Sequence, residues 1–156
     1  MGSRSGDIDP AILFHLHRVA GMSWEELDDL LNTRSGLRGL CGDNDMRGVL
    51  GRSDESARLA LDVYCARVKF YVGAYFALLG KVDAITFTAG VGENSPVVRE
   101  RCLSELDGLG IVLDGMRNYD GAPIISADHA KVRVCVVPTD EEGEIARQTA
   151  RLLQRV

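Results

Sequence analysis

The chain has 156 residues and 17.0 kDa, with 46% hydrophobic, 26% charged and 6% aromatic residues and 17 Gly against 4 Pro. That balance belongs to a globular protein with a buried core and excludes wholesale disorder or a collagen-like repeat. Eighteen Lys and Arg against 23 Asp and Glu leave a net charge of -5, the wrong sign for holding nucleic acid by its phosphates or lying on an anionic membrane.

The first residues, Met1-Gly2-Ser3-Arg4-Ser5-Gly6, run into the acids Asp7 and Asp9, which fits neither a signal peptide nor a myristoylation site. Asp7 and Asp9 read as helix-capping carboxylates, whereas Arg4 has no evident structural task. Pro10 opens a helix whose apolar face is Ile12, Leu13, Leu16 and Val19 or Ala20, and Gly21 ends it. His15 and His17, two apart, cannot share a helix face and do not make a metal pair. They and His129 read as packing or surface histidines. Ser23-Trp24-Glu25-Glu26 is a capping box for a second helix with Leu27, Leu30 and Leu31 inward. Gly36, Gly39 and Gly42 then predict tight turns.

The loop Gly42-Asp43-Asn44-Asp45-Met46-Arg47 has two readings: a cap by Asn44 or Asp45 beside an exposed ion pair, or a ligand contact. It lacks the downstream Gly and Glu of a calcium loop. Residues 53–79 predict one long helix of roughly 40 Å at 1.5 Å per residue, polar in its first turn and apolar on most sides later, ending at Gly80. Its apolar part, residues 70–79, is far short of the roughly 20 residues that span a bilayer, so it reads as the main core element.

Residues 83–88 predict a strand, followed by the turn Thr88-Ala89-Gly90-Val91-Gly92-Glu93-Asn94-Ser95 and a helix over 96–106 capped by Ser95. Two glycines after a strand let a backbone approach a phosphate. The full Gly-x-Gly-x-x-Gly pattern is absent, so nucleotide binding and a plain turn both stay open. Residues 131–137 predict the clearest strand. After it, Thr139-Asp140-Glu141-Glu142 opens a last helix towards Leu153, with Thr139 as cap and Glu142 reaching back to it. Asp140 and Glu141 are left over, and a carboxylate at a strand end suits the hydration shell of Mg2+. The four cysteines, Cys41, Cys65, Cys102 and Cys135, form no Cys-x-x-Cys pair and predict reduced, buried thiols. No repeat or linker divides the chain, which reads as a single unit, 1–156, of an α/β fold.

In order, these segments resemble the acetate kinases. Arg4-Ser5-Gly6-Asp7-Ile8-Asp9-Pro10-Ala11 is similar to that family's signature, with Ser3 where Thr is usual. Ser35-Gly36-Leu37 through Asp45-Met46-Arg47 resembles a second segment, and Phe87-Thr88-Ala89-Gly90-Val91-Gly92-Glu93-Asn94-Ser95 a third. Val137-Pro138-Thr139-Asp140-Glu141-Glu142 is similar to a fourth, with Asp140 in place of Asn. The resemblance implies part of a ribonuclease H-like domain of the acetate and sugar kinase, Hsp70 and actin superfamily, helix-rich with a short mixed sheet. The reaction it implies moves the γ-phosphoryl group of ATP to acetate, giving acetyl phosphate and ADP, with Mg2+.

Carried over by residue, Arg4 would be catalytic, stabilising the transferring phosphoryl group. Asp45, Met46, Arg47, Gly90, Val91, Gly92, Glu93 and Asn94 would contact the nucleotide, and Glu141 would be associated with the metal. The resemblance further implies the C-terminal nucleotide-binding part only, in a fragment or truncated frame opening at an internal Met. The N-terminal domain with the acetate pocket would lie upstream. A complete form is expected to be a cytoplasmic homodimer with neither nucleic-acid nor membrane partners. The alternatives are a catalytically silent ATP-binding or dimerisation module, or an inactive remnant with an unpaired sheet edge.

Overall fold

The computed structural model describes residues 1–153. The chain divides into two compact units, Met1–Ala74 and Tyr75–Val156, with the division inside a long helix.

The first unit is helical: α1 (Ala11–Val19), α2 (Trp24–Thr33), α3 (Gly36–Cys41), α4 (Met46–Leu50) and most of α5 (Glu55–Leu79). Asp9 Oδ1 accepts the Ala11 N–H at 2.9 Å ahead of α1. The capping box of α2 forms as expected, Ser23 Oγ accepting from the Glu26 N–H at 3.1 Å and Glu26 Oε2 from the Ser23 N–H at 2.8 Å. The core comprises Leu27, Leu37, Cys41, Met46, Val49, Ala57, Ala60, Leu61 and Cys65, all buried. Each fully buried aliphatic side chain of Leu or Val size contributes about 1.5–3 kcal/mol.

Three expectations are corrected in this unit. The glycines at 36, 39 and 42 bound or enter a helix, with Gly36 opening α3 and left-handed Gly42 closing it. The apolar face of α1 buries none of its residues; Ile12 and Val19 are exposed. The later half of α5 is not a core element, since its buried residues are Ala57, Ala60, Leu61 and Cys65, all in the first half, while Phe70, Leu78 and Leu79 are exposed. Apolar composition makes burial favourable, but a neighbouring element must supply the cover.

The second unit contains β1 (Ala84–Phe87), α6 (Ala89–Asn94), α7 (Pro96–Leu103), a 3-10 turn (Asp107–Leu109), α8 (Gly115–Tyr119), β2 (Arg133–Val136) and α9 (Glu141–Leu153). β1 and β2 are parallel, with Ala84 opposite Arg133 and Phe87 opposite Val136. On its other side β2 meets the 123–125 segment antiparallel, through Ile125 N–H to Val134 C=O at 2.8 Å and Val136 N–H to Pro123 C=O at 3.0 Å. The pairing is therefore mixed, and the α/β architecture expected from two strand–helix units holds. Val98, Cys102, Leu103, Ile111, Ile125, Val132, Val134 and Val136 form this unit's core. The predicted helix over 96–106 stops at Leu103, and the expected glycine turn is the short helix α6, entered at Ala89 with φ +59°.

Candidate functional site

In the first unit, the chain before α1 is held by backbone hydrogen bonds. The carbonyls of Met1, Gly2 and Ser3 accept from Leu37, Arg38 and Ser35, and the Ser5 N–H donates to Leu31. This pairing fixes the backbone of Arg4 and leaves its side chain exposed, with no partner among the described residues. A cationic guanidinium on an immobilised backbone is available to an anion. Asp7 is occupied differently, accepting from both Arg67 and the Tyr71 hydroxyl.

Asp45 is the N-cap of α4, its Oδ1 accepting the Arg47 N–H at 2.9 Å. The Arg47 guanidinium returns to the same carboxylate, with Nε 3.0 Å from Oδ1 and a terminal nitrogen 2.6 Å from Oδ2. The Arg47 side chain, then its N–H, hold the Asp45 carboxyl at about 2, below the ordinary 3.8. Met46 is buried. This arrangement is the cap with an exposed ion pair, and it commits the Asp45 carboxylate to its own helix.

In the second unit, both parallel strands deliver their C-terminal ends to one edge of the sheet, where ligands of α/β folds collect. α6 follows β1 there, and Thr139 with α9 follows β2. The Glu93 side chain joins the two: Oε1 accepts the Thr139 N–H at 2.9 Å and also the Thr139 hydroxyl. These donors, the hydroxyl first, hold the Glu93 carboxyl below its ordinary range. Asn94 spends its amide within α6, donating to the Gly90 carbonyl at 2.8 Å. A Cβ on Gly90 would meet open space, and one on Gly92 ordinary contact with Phe87 at 3.5 Å. Val91 is half-buried.

The expected capping box at Thr139 is corrected. Asp140 caps α9 instead, Oδ1 accepting the Gly143 N–H at 3.1 Å, because Glu93 has taken the Thr139 N–H that Glu142 was expected to bind. Glu141 lies in the first turn of α9, exposed and with no partner among the described residues. No group of three or more His, Cys, Asp or Glu able to hold a metal occurs among the described residues. Mg2+ needs none, since it keeps several waters and takes one or two carboxylates plus substrate phosphates. A free carboxylate at Glu141 fits that demand.

A concavity of about 940 Å3 lined by Asp83, Arg117, Lys131 and Arg133 opens at the starts of the strands, the end away from α6 and α9. The four cysteines are unbridged; Cys41, Cys65 and Cys102 are buried as expected, whereas Cys135 is only half-buried. Among the described residues no helix is long and apolar enough to cross a membrane.

The pair that residue patterns did not single out is Arg99 and Asn118, both buried, directly behind α6. Spacing carried a signal: Arg99 precedes Cys102 and Leu103 by three and four residues, which puts a cation on the buried face of α7.

The family model described as the acetokinase family matches residues 1–147. The chain is 60% identical to an acetate kinase of Streptomyces coelicolor over 98% of its own length and 39% of that protein's. It is 48% identical to an acetate kinase of Syntrophobacter fumaroxidans, over 99% of the chain and 39% of that protein. Among solved structures, acetate kinase of Porphyromonas gingivalis superposes with a TM-score of 0.89 at 41% identity, over 98% of this chain and 40% of that one. A propionate kinase of Francisella tularensis gives 0.88 at 38% identity, covering 94% and 38%. The chain thus spans about two fifths of the length of the relatives it matches.

Proposed function

Because this chain belongs to the acetokinase family, we propose that it is the nucleotide-binding portion, residues 1–156, of a kinase that transfers the γ-phosphoryl group of ATP to a short carboxylate. The observation that carries this reading is the Glu93–Thr139 link, which joins the glycine segment after β1 to the start of α9 after β2 at one end of a parallel sheet. The motifs at 87–95 and 137–142 support the nucleotide side.

Gly90, Val91, Gly92 and Asn94 form the surface for adenine and ribose, and Gly90, where a Cβ would meet open space, leaves room above the backbone for close approach. Glu141 would hold the hydration shell of Mg2+, which supplies neutralisation of phosphate charge when bound. Arg4, exposed and unpaired among the described residues, neutralises charge on the equatorial oxygens of the transferring group. Asp45 and Arg47 shape the start of α4 through their own ion pair. The relatives are named for acetate and propionate, so the acceptor is acetate or a near homologue and the product an acyl phosphate. A homodimer and a cytoplasmic location are what the family resemblance implies for the complete protein.

The remaining three fifths of the relatives has no counterpart in these residues. Phosphoryl transfer depends on positioning donor and acceptor together, so the portion described is a donor-side element. Calorimetric titration of the purified chain with ATP, with and without Mg2+, tests the reading. Saturable binding strengthened by the metal is expected; no binding by a cooperatively folded chain overturns it.

A further inference from the structure

Arg99 is 1% exposed, on a helix face shared with the buried Val98, Cys102 and Leu103. A buried cation ordinarily faces a carboxylate, yet among the described residues Arg99 faces none. Its Nε donates to Asn118 Oδ1 at 2.8 Å and one terminal nitrogen to the Asn118 carbonyl at 2.6 Å. The other terminal nitrogen donates to the carbonyls of Gly92 at 2.9 Å and Glu93 at 2.8 Å. Asn118 is itself fixed, its Nδ2 donating to the Pro96 carbonyl at 3.0 Å. Burial pushes the guanidinium down from its ordinary value, though arginine stays charged.

Two of these four acceptors close the last turn of α6. A six-residue helix leaves its final carbonyls without intrahelical donors, and a cation at its C-terminal end also complements the helix dipole. Arg99 therefore sets where the backbone of Glu93 lies, and the Glu93 side chain continues outward to the N–H and hydroxyl of Thr139. Thr139 directly precedes the cap Asp140 and the free carboxylate of Glu141.

We propose that Arg99 and Glu93 form one positioning unit that holds the segment Gly90–Asn94 in register with the start of α9, so that both meet the phosphates and metal of a bound nucleotide together. This deepens, and rests on, the nucleotide reading above. Arg99 is sealed from solvent and Glu93 spends a carboxylate oxygen on Thr139, so both act through the segments they join. Glu93 thereby moves from a direct nucleotide contact to a positioning residue.

The test uses the full chain in two arms. In the ligand-free arm, hydrogen exchange is followed at the Thr139 amide in Arg99→Met and in Arg99→Lys, which keeps the charge but not the fork of donors. At least tenfold faster exchange at Thr139 is expected in both, with the Ile125 and Val136 amides of the sheet within twofold of wild type. In the second arm, a double-mutant cycle measures Mg-ATP affinity in Arg99→Lys, Glu93→Ala and the pair. Each single change is expected to weaken binding about tenfold and the pair no more than the larger single, the mark of residues acting as one unit. Unchanged Thr139 exchange, or losses that multiply, overturn the link even where Arg99→Met fails to fold. Absent ATP binding by wild type, with the exchange coupling intact, overturns the nucleotide reading and supports the link.

Discussion

A Cβ built on Gly36 would stand 2.5 Å from the Met1 carbonyl oxygen and 2.8 Å from that of Arg4, at φ +61°. Only glycine lets α3 start so close to the backbone that carries Arg4, because any side chain there is both crowded and strained. Gly92 differs: a Cβ there touches Phe87 at 3.5 Å, an ordinary contact. Gly92→Ala is accordingly expected to keep or raise the melting temperature, alanine being favoured over glycine within a helix by about 1 kcal/mol. Gly90→Ala, whose methyl would stand in open space, is expected to weaken ATP binding in calorimetry, because that methyl occupies the ligand's approach. Equal affinity would make this glycine a structural residue only. Glu141→Gln, which removes a charge that caps nothing, is expected to reduce the gain in ATP affinity on adding Mg2+ while leaving metal-free binding unchanged. Equal losses in both titrations would assign Glu141 to the fold instead.

The short helix α4 depends on one carboxylate. Asp45 is held at about 2, against an ordinary 3.8, by the Arg47 side chain and N–H. A carboxyl depressed on folding contributes stability above its unfolded pKa and loses it as pH falls through the folded one. The difference in urea midpoint between wild type and Asp45→Asn is therefore expected to be constant above pH 3.8 and to close as pH falls to about 2. A gap independent of pH would mean that the charge contributes nothing to the cap. Helix α5 is divided along its length. Leu61, 6% exposed, is expected to cost about 2–5 kcal/mol when changed to Ala, the range for a buried leucine. Leu78, 80% exposed, is expected to stay within about 0.5 kcal/mol of wild type when changed to Lys. Denaturant unfolding distinguishes the two halves, and a large loss at Leu78 would show that its surface is covered in solution.

For the whole molecule, the chain's share of its relatives' length, 39%, has a consequence for activity. Purified chain with ATP, Mg2+ and acetate is expected to give no acyl phosphate, read as the hydroxamate, while still binding ATP. Product above the blank would show that these residues hold an acceptor site as well. Much of this organisation was legible in residue order because it depends on local chemistry. The Ser23 and Ser95 caps, the stop at Gly80 and the strands at 84–87 and 133–136 follow from what each residue does to its neighbours in the chain. The motifs that named the family are equally local, runs of three to nine residues. Burial and partnership are not local, because a side chain's cover and its hydrogen-bond partner come from segments distant in sequence. That is why α1 and the later half of α5 stay exposed despite apolar faces, and why Asp140 rather than Thr139 caps α9. It is also why Glu93 belongs to a residue 46 positions away and the buried Arg99 to Asn118, 19 positions away: only folding brings such groups within hydrogen-bonding distance.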